Sequence, residues 1–235
     1  MRYKIDLIEI KCLDENDSGP GNNDEPYVIV TSVCFKNALS GVPLPPGINL
    51  PSLNFPIVVV NKFGPWGGVD EGETRSTTAF RTGVTFTEIE KMFLSMMGVI
   101  IREPIWGVNR TPTPIGDLNS LFFLVAMMEK DDNNPSTVRT TVQGAVSAAA
   151  SGYANANLSR NDLSQRLRDD MRSGIILGIT SASPNSDDLI GVVQELQISS
   201  QDLRNADQRG TILKTLDFRN PSTRYEVVFR IQSLP

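Results

Sequence analysis

Asp24-Glu25-Pro26-Tyr27-Val28-Ile29-Val30 is the stretch on which the fold turns. Tyr27 to Phe35 is rich in Val, Ile and Thr and reads as a strand. Upstream, Asp14-Glu15-Asn16-Asp17-Ser18-Gly19 opens a segment of Gly, Asn and Asp that can only be a loop. Before it, Tyr3 to Leu13 alternates in period two, with Ile5 and Leu7 on one parity and Ile8, Ile10 and Cys12 on the other. That pattern predicts a strand with a change of face or a bulge near Leu7-Ile8. A second acidic turn lies far along the chain. Glu129-Lys130-Asp131-Asp132 follows the apolar run Leu121 to Met128, and the turn closes at Asp187-Asp188-Leu189-Ile190-Gly191. Carboxylates crowded at strand ends repel one another unless the loops are fully solvated or a hard cation neutralises them.

The bulk composition narrows the function classes. With 235 residues, 40% apolar and 21% charged, the chain suits a globular protein with a substantial core. A formal net charge of −5 argues against nucleic acid as a partner, because phosphate backbones reward basic surfaces. It leaves membrane contact open, since bound cations reverse the sign of a local patch. There is no histidine, which removes the usual general base and every Ser-His-Asp or Cys-His constellation, so the expectation is a protein that is not an enzyme. Cys12 and Cys34 sit in apolar segments and read as buried free thiols, with one bridge between neighbouring strands as the alternative. No signal peptide is visible at the start, and no apolar stretch approaches transmembrane length. Synthesis in the cytoplasm is expected, with export by another route if the protein acts outside.

Residues 41–56 carry five prolines, which disfavours ladder pairing there. Ile57-Val58-Val59-Val60 reads as a short buried strand, and 63–73 as a glycine-rich turn with the acidic knot Asp70-Glu71-Gly72-Glu73. One or two strands are expected over 74–87, then a short helix from Glu88 to Met97 capped by Thr87. Leu121 to Met128 is the most apolar strand, and its length suggests a central position. Asn134-Pro135-Ser136 is a helix-start signal, followed by Val138, Val142, Ala145, Val146 and Ala149 at helical spacing. Ser159 caps a second helix carrying Leu163, Leu167 and Met171. Strands resume over 191–199, 211–218 and 224–231. The plan is therefore one mainly β domain spanning residues 1–235, an antiparallel β-sandwich closed by the earliest and latest strands, with an α-helical hairpin insertion at about 134–183.

Two motifs carry a resemblance. Asp24-Glu25-Pro26-Tyr27 before a Val-rich strand, and Glu129-Lys130-Asp131 followed by Asp188-Leu189-Ile190-Gly191, are similar to the loop signatures of the C2 domain, the calcium-dependent phospholipid-binding β-sandwich. Glutamate stands where that family has aspartate at two ligand positions, the first loop is longer, and the helical insertion is not typical. The chain is closer to divergent bacterial C2-like modules. The resemblance implies calcium as cofactor and Asp14, Asp17, Asp24, Glu25, Glu129, Asp131 and Asp188 as its ligands, if the sandwich brings both turns to one end. Seven unpaired carboxylates within about one Debye length would be costly without counter-ions. The plain alternative is that Asp and Asn build ordinary solvated turns. Asp70, Glu71 and Glu73 either extend the cluster or form a separate solvated hairpin tip.

Trp66 and Trp106 read as lids over a sandwich end, or as membrane-interface anchors or ligand platforms. The small residues of the first helix point to close packing against the second, with insertion during pore formation as the alternative. Arginines alternating with aspartates on the second helix read as a solvated face. The leading functional expectation is a binding module that uses a divalent cation to engage a phospholipid membrane or a protein partner. The alternatives are a secreted or injected bacterial effector, including an insecticidal pore-forming type of toxin component, and a structural or assembly subunit that forms an oligomer.

Overall fold

A computed structural model describes residues 1–15, 25–35, 56–67, 69–77, 104–106, 113–130, 134–180 and 187–235. The expected helix over 88–97, most of the strand region 74–87 and most of the proline-rich segment 41–56 lie outside the described residues.

Two antiparallel sheets pack face to face. The first has the order β4-β1-β9-β8, formed by Thr74–Ser76 (β4), Arg2–Glu15 (β1), Thr223–Leu234 (β9) and Thr211–Arg219 (β8). Pro104–Trp106 (β5) also pairs with β1. The second sheet has the order β3-β2-β6-β7, formed by Ile57–Phe63 (β3), Pro26–Cys34 (β2), Leu121–Glu129 (β6) and Asp188–Glu195 (β7). The first strand does find its partner in the last: β1 and β9 pair from Arg2↔Leu234 to Glu15↔Thr223. The face change read in β1 is a bulge, where the register passes from Leu7↔Phe229 to Glu9↔Val228. β6 lies centrally, between β2 and β7. β3 is longer than the expected 57–60 strand and forms a half-buried sheet edge.

The helical hairpin consists of Pro135–Tyr153 (α1) and Arg160–Thr180 (α2). Asn134 caps α1 by accepting from the Ser136 N–H, with Pro135 in the first turn. Alternation along β2 and β6 divides their side chains between two cores. Val28, Val30, Phe123, Val125 and Met127 face the other sheet, where they meet Ile5, Ile10, Tyr225, Val227 and Phe229. Tyr27, Ile29, Phe122, Leu124 and Met128 face the hairpin and meet Val138, Val142, Val146, Leu167, Met171 and Ile175. The layers are therefore sheet, sheet and helices. This explains why β2 is buried along its whole length, Thr31 and Ser32 included: it has no solvated face. The hairpin's apolar stripe is committed to the sheet. Among the described residues no helix is long and apolar enough to cross a membrane.

A further helix, Ser200–Arg209 (α3), was not expected. Ser199 and Asp202 form a capping box at its start, and Gly210, in the left-handed region at φ 76°, ends it. Cys12 and Cys34 are buried in the inter-sheet core and are not bridged to each other, and burial pushes the Cys34 thiol up to about 12.

Candidate functional site

β-ladder register brings the two acidic turns to one end of the second sheet. Glu129, the last residue of β6, stands opposite Pro26 on β2 and opposite Asp188 on β7. Pro26, Glu129 and Asp188 therefore form one row across three strand ends, and Glu25, one residue before Pro26, stands in the next row beside Lys130. Glu129 and Asp188 are directly opposed, and like charges at such positions repel. Glu25 has a cation of its own: the Lys130 ammonium lies against its carboxylate, and the Lys130 N–H donates to the Glu25 carbonyl at 3.1 Å.

Asp14 reaches the same pole from the other sheet, but beside a cation. It stands opposite Arg224 in the β1–β9 ladder, and both are exposed. Arg224 in turn forks onto Asp217, with N–O distances of 3.1 Å and 2.8 Å. The hydrogen bond from Arg224 holds the Asp217 carboxyl below its ordinary range, while Asp217 and, more weakly, Asp14 hold the guanidinium up. Asp17, Asp24 and Asp131, also read as ligands, lie outside the described residues. Among the described residues no group of three or more carboxylates and thiols is placed to hold a metal ion.

Asp187, read only as part of the acidic turn, has a different role from its neighbour. It is fully buried and accepts from the Tyr27 phenol at 2.6 Å. Burial, the hydrogen bond and the charge of Asp187 together raise the Tyr27 phenol far above its ordinary value. The tyrosine of the Pro-Tyr motif is thus tied to the start of β7 on the face covered by the hairpin.

Trp66 is buried at the same pole, with its backbone N–H donating to the Pro26 carbonyl at 2.9 Å, so it is a lid and not an exposed anchor. Trp106 is buried as well and donates its indole N–H to the Thr113 carbonyl at 2.9 Å. The Asp70–Glu73 turn docks on β1: Gly72 N–H donates to the Cys12 carbonyl at 3.1 Å, and Cys12 N–H to the Glu73 carbonyl at 3.0 Å. Its Glu73 carboxylate pairs with Arg75 at 2.7 Å, while Asp70 and Glu71 are exposed.

The opposite pole carries a cleft of about 850 Å³ between the start of α2, the start of α3 and the Leu118–Ser120 turn. Two of its cations are paired with carboxylates, and Asp207 accepts from a phenol. Arg160 lies 2.6 Å from Glu195, Lys214 lies 2.8 Å from Asp202, and Tyr3 donates to Asp207 at 3.0 Å. Burial, then the hydrogen bond to Asp207 and its charge, push the Tyr3 phenol up to about 12. The Ser199-x-x-Asp202 spacing was the one signal in the sequence for this region. No protein-family model, curated protein or solved structure matches the chain.

Proposed function

We propose that the protein is a non-enzymatic binding module of C2-like type, whose acidic pole takes a divalent cation, calcium, and through it engages a phospholipid surface or a protein partner. The observation that carries this reading is the strand-end pair: Glu129 opposed to Asp188, with Glu25 one row further on. Two opposed carboxylates are a pair that a hard cation stabilises. Donor chemistry fits in part. Glu129 and Asp188 offer hard oxygen ligands at adjacent strand ends. Glu25 joins them only by exchanging the Lys130 ammonium for the cation. The acid-rich segments 16–24 and 131–133 leave from the same strand ends and hold Asp17, Asp24 and Asp131. Calcium accepts six to eight oxygens, so coordination left open by the protein is available to phosphate oxygens.

The test is thermal unfolding in phosphate-free buffer with calcium titrated to millimolar levels. Binding only to the folded state raises Tm, by an amount equivalent to about 2.7 kcal/mol when calcium is a hundredfold above Kd. Glu129→Gln combined with Asp188→Asn should abolish that rise. An unchanged Tm in the wild-type protein removes the cation from the proposal. Sedimentation with anionic vesicles, with and without calcium, then separates a membrane target from a protein one.

A further inference from the structure

Among the described residues β3 is the outer strand of its sheet, the position at which a further strand could add. That edge is occupied by a side chain of the hairpin. Gln143, on α1, donates through Nε2 to the Val58 carbonyl at 2.9 Å, and its Oε1 accepts from the Val60 N–H at 3.0 Å. One carboxamide thereby fills one acceptor and one donor position that an incoming strand would fill. Nε2 also lies 2.9 Å from Ser147 Oγ, one helical turn on, which holds the amide in place.

The strand behind this plug is one that would pair with its own kind. Ile57-Val58-Val59-Val60 is β-branched throughout, uncharged and free of proline. Val59 is 46% exposed even with the plug in place. Antiparallel pairing of two copies about a two-fold axis would set this run against itself, a self-complementary contact that needs no other partner.

We infer that Gln143 occupies the strand-addition position of β3 and blocks pairing of that edge with the same edge of a second copy of this chain. Gln143 is therefore an intramolecular guard, and the β3 edge is a latent self-association surface. The inference is independent of the acidic pole, which lies at the ends of β2, β6 and β7.

Light scattering on the full chain tests it, comparing wild type with Gln143→Ala and with Gln143→Ala carrying Val59→Lys. Gln143→Ala should raise the molar mass roughly twofold or more relative to wild type, increasing with protein concentration, because an uncovered apolar edge is a template for pairing. A lysine on that edge should return the mass to the wild-type value. If Gln143→Ala does not fold, Gln143→Met keeps the volume and helix propensity without the amide and takes its place. A Gln143 variant that keeps the wild-type mass overturns the inference. So does one that associates equally with Val59→Lys present.

Discussion

The contact between Tyr27 and Asp187 is a single hydrogen bond of 2.6 Å between two fully buried side chains. Tyr27→Phe withdraws a donor from a buried carboxylate and should cost about 1–3 kcal/mol in urea denaturation. Asp187→Asn should cost less in the Tyr27→Phe background than in wild type, since the two residues share one interaction. The same phenol sets a pH dependence. Tyr27 and Tyr3 are both held above the ordinary 10.0, Tyr3 at about 12. Above that ordinary value the unfolded chain has lost protons that the folded chain retains. The contribution to stability is therefore full below pH 10 and is lost as pH rises through the folded values. Cys34, raised by burial from 9.0 to about 12, acts with the same sign from pH 9 upward. Urea midpoints should be level with respect to these groups below about pH 9 and fall steadily above it. Asp187 and Asp188 are adjacent and chemically identical, so no pattern of residues separates the buried one from the exposed one. Gly191 was legible only as part of an Asp-x-Ile-Gly pattern. Its place in the fold is geometric: φ is 74°, and a Cβ there would lie 2.8 Å from the Arg219 carbonyl oxygen, where β7 meets β8.

Close packing within the hairpin depends on the glycines of α2. A Cβ on Gly174 would lie 2.9 Å from the Val142 Cα, and one on Gly178 would lie 2.8 Å from the Val138 Cα and 2.5 Å from Thr141 Oγ1. Gly144 and Gly152 of α1 face open space. Close approach was expected from the small residues of α1, but the glycines that make it are on α2. Gly178→Ala should thus destabilise by about 1–3 kcal/mol despite its better helix propensity, because the added methyl meets backbone. Gly152→Ala should stabilise by about 0.5–1 kcal/mol, with nothing to oppose the propensity gain. Denaturation midpoints of the two variants should move in opposite directions. Both hairpin helices were legible from apolar spacing and caps at Asn134 and Ser159. α3 was not, because only Ala206 of its ten residues is buried and it carries no apolar stripe.

Across the whole molecule the hairpin is a structural layer. Excising residues 134–180 would uncover Tyr27, Ile29, Phe122, Leu124 and Met128, each fully buried and each worth about 1.5–3 kcal/mol of burial. The shortened chain should be recovered in aggregates, with dye binding that reports exposed apolar surface. The order of strands, helices and strands was legible along the sequence; the face that the helices cover was not, since it depends on which strands are buried on both sides. Of the acidic pole, the gathering of Glu25, Glu129 and Asp188 follows from strand pairing and could be anticipated. Lys130 against Glu25 and Arg224 opposite Asp14 could not, because each pairing requires the register. The ladder between β1 and β9 has a consequence for how the protein is made. During synthesis the earliest strand waits for one encoded more than two hundred positions later, while its neighbour sheet assembles from β2, β3 and β6 well before. Until β9 emerges, the nascent chain can pair β1 only on the edge that β4 and β5 take, and the edge that β9 will take stays open. A stall before β9 emerges leaves that edge for chaperones to hold.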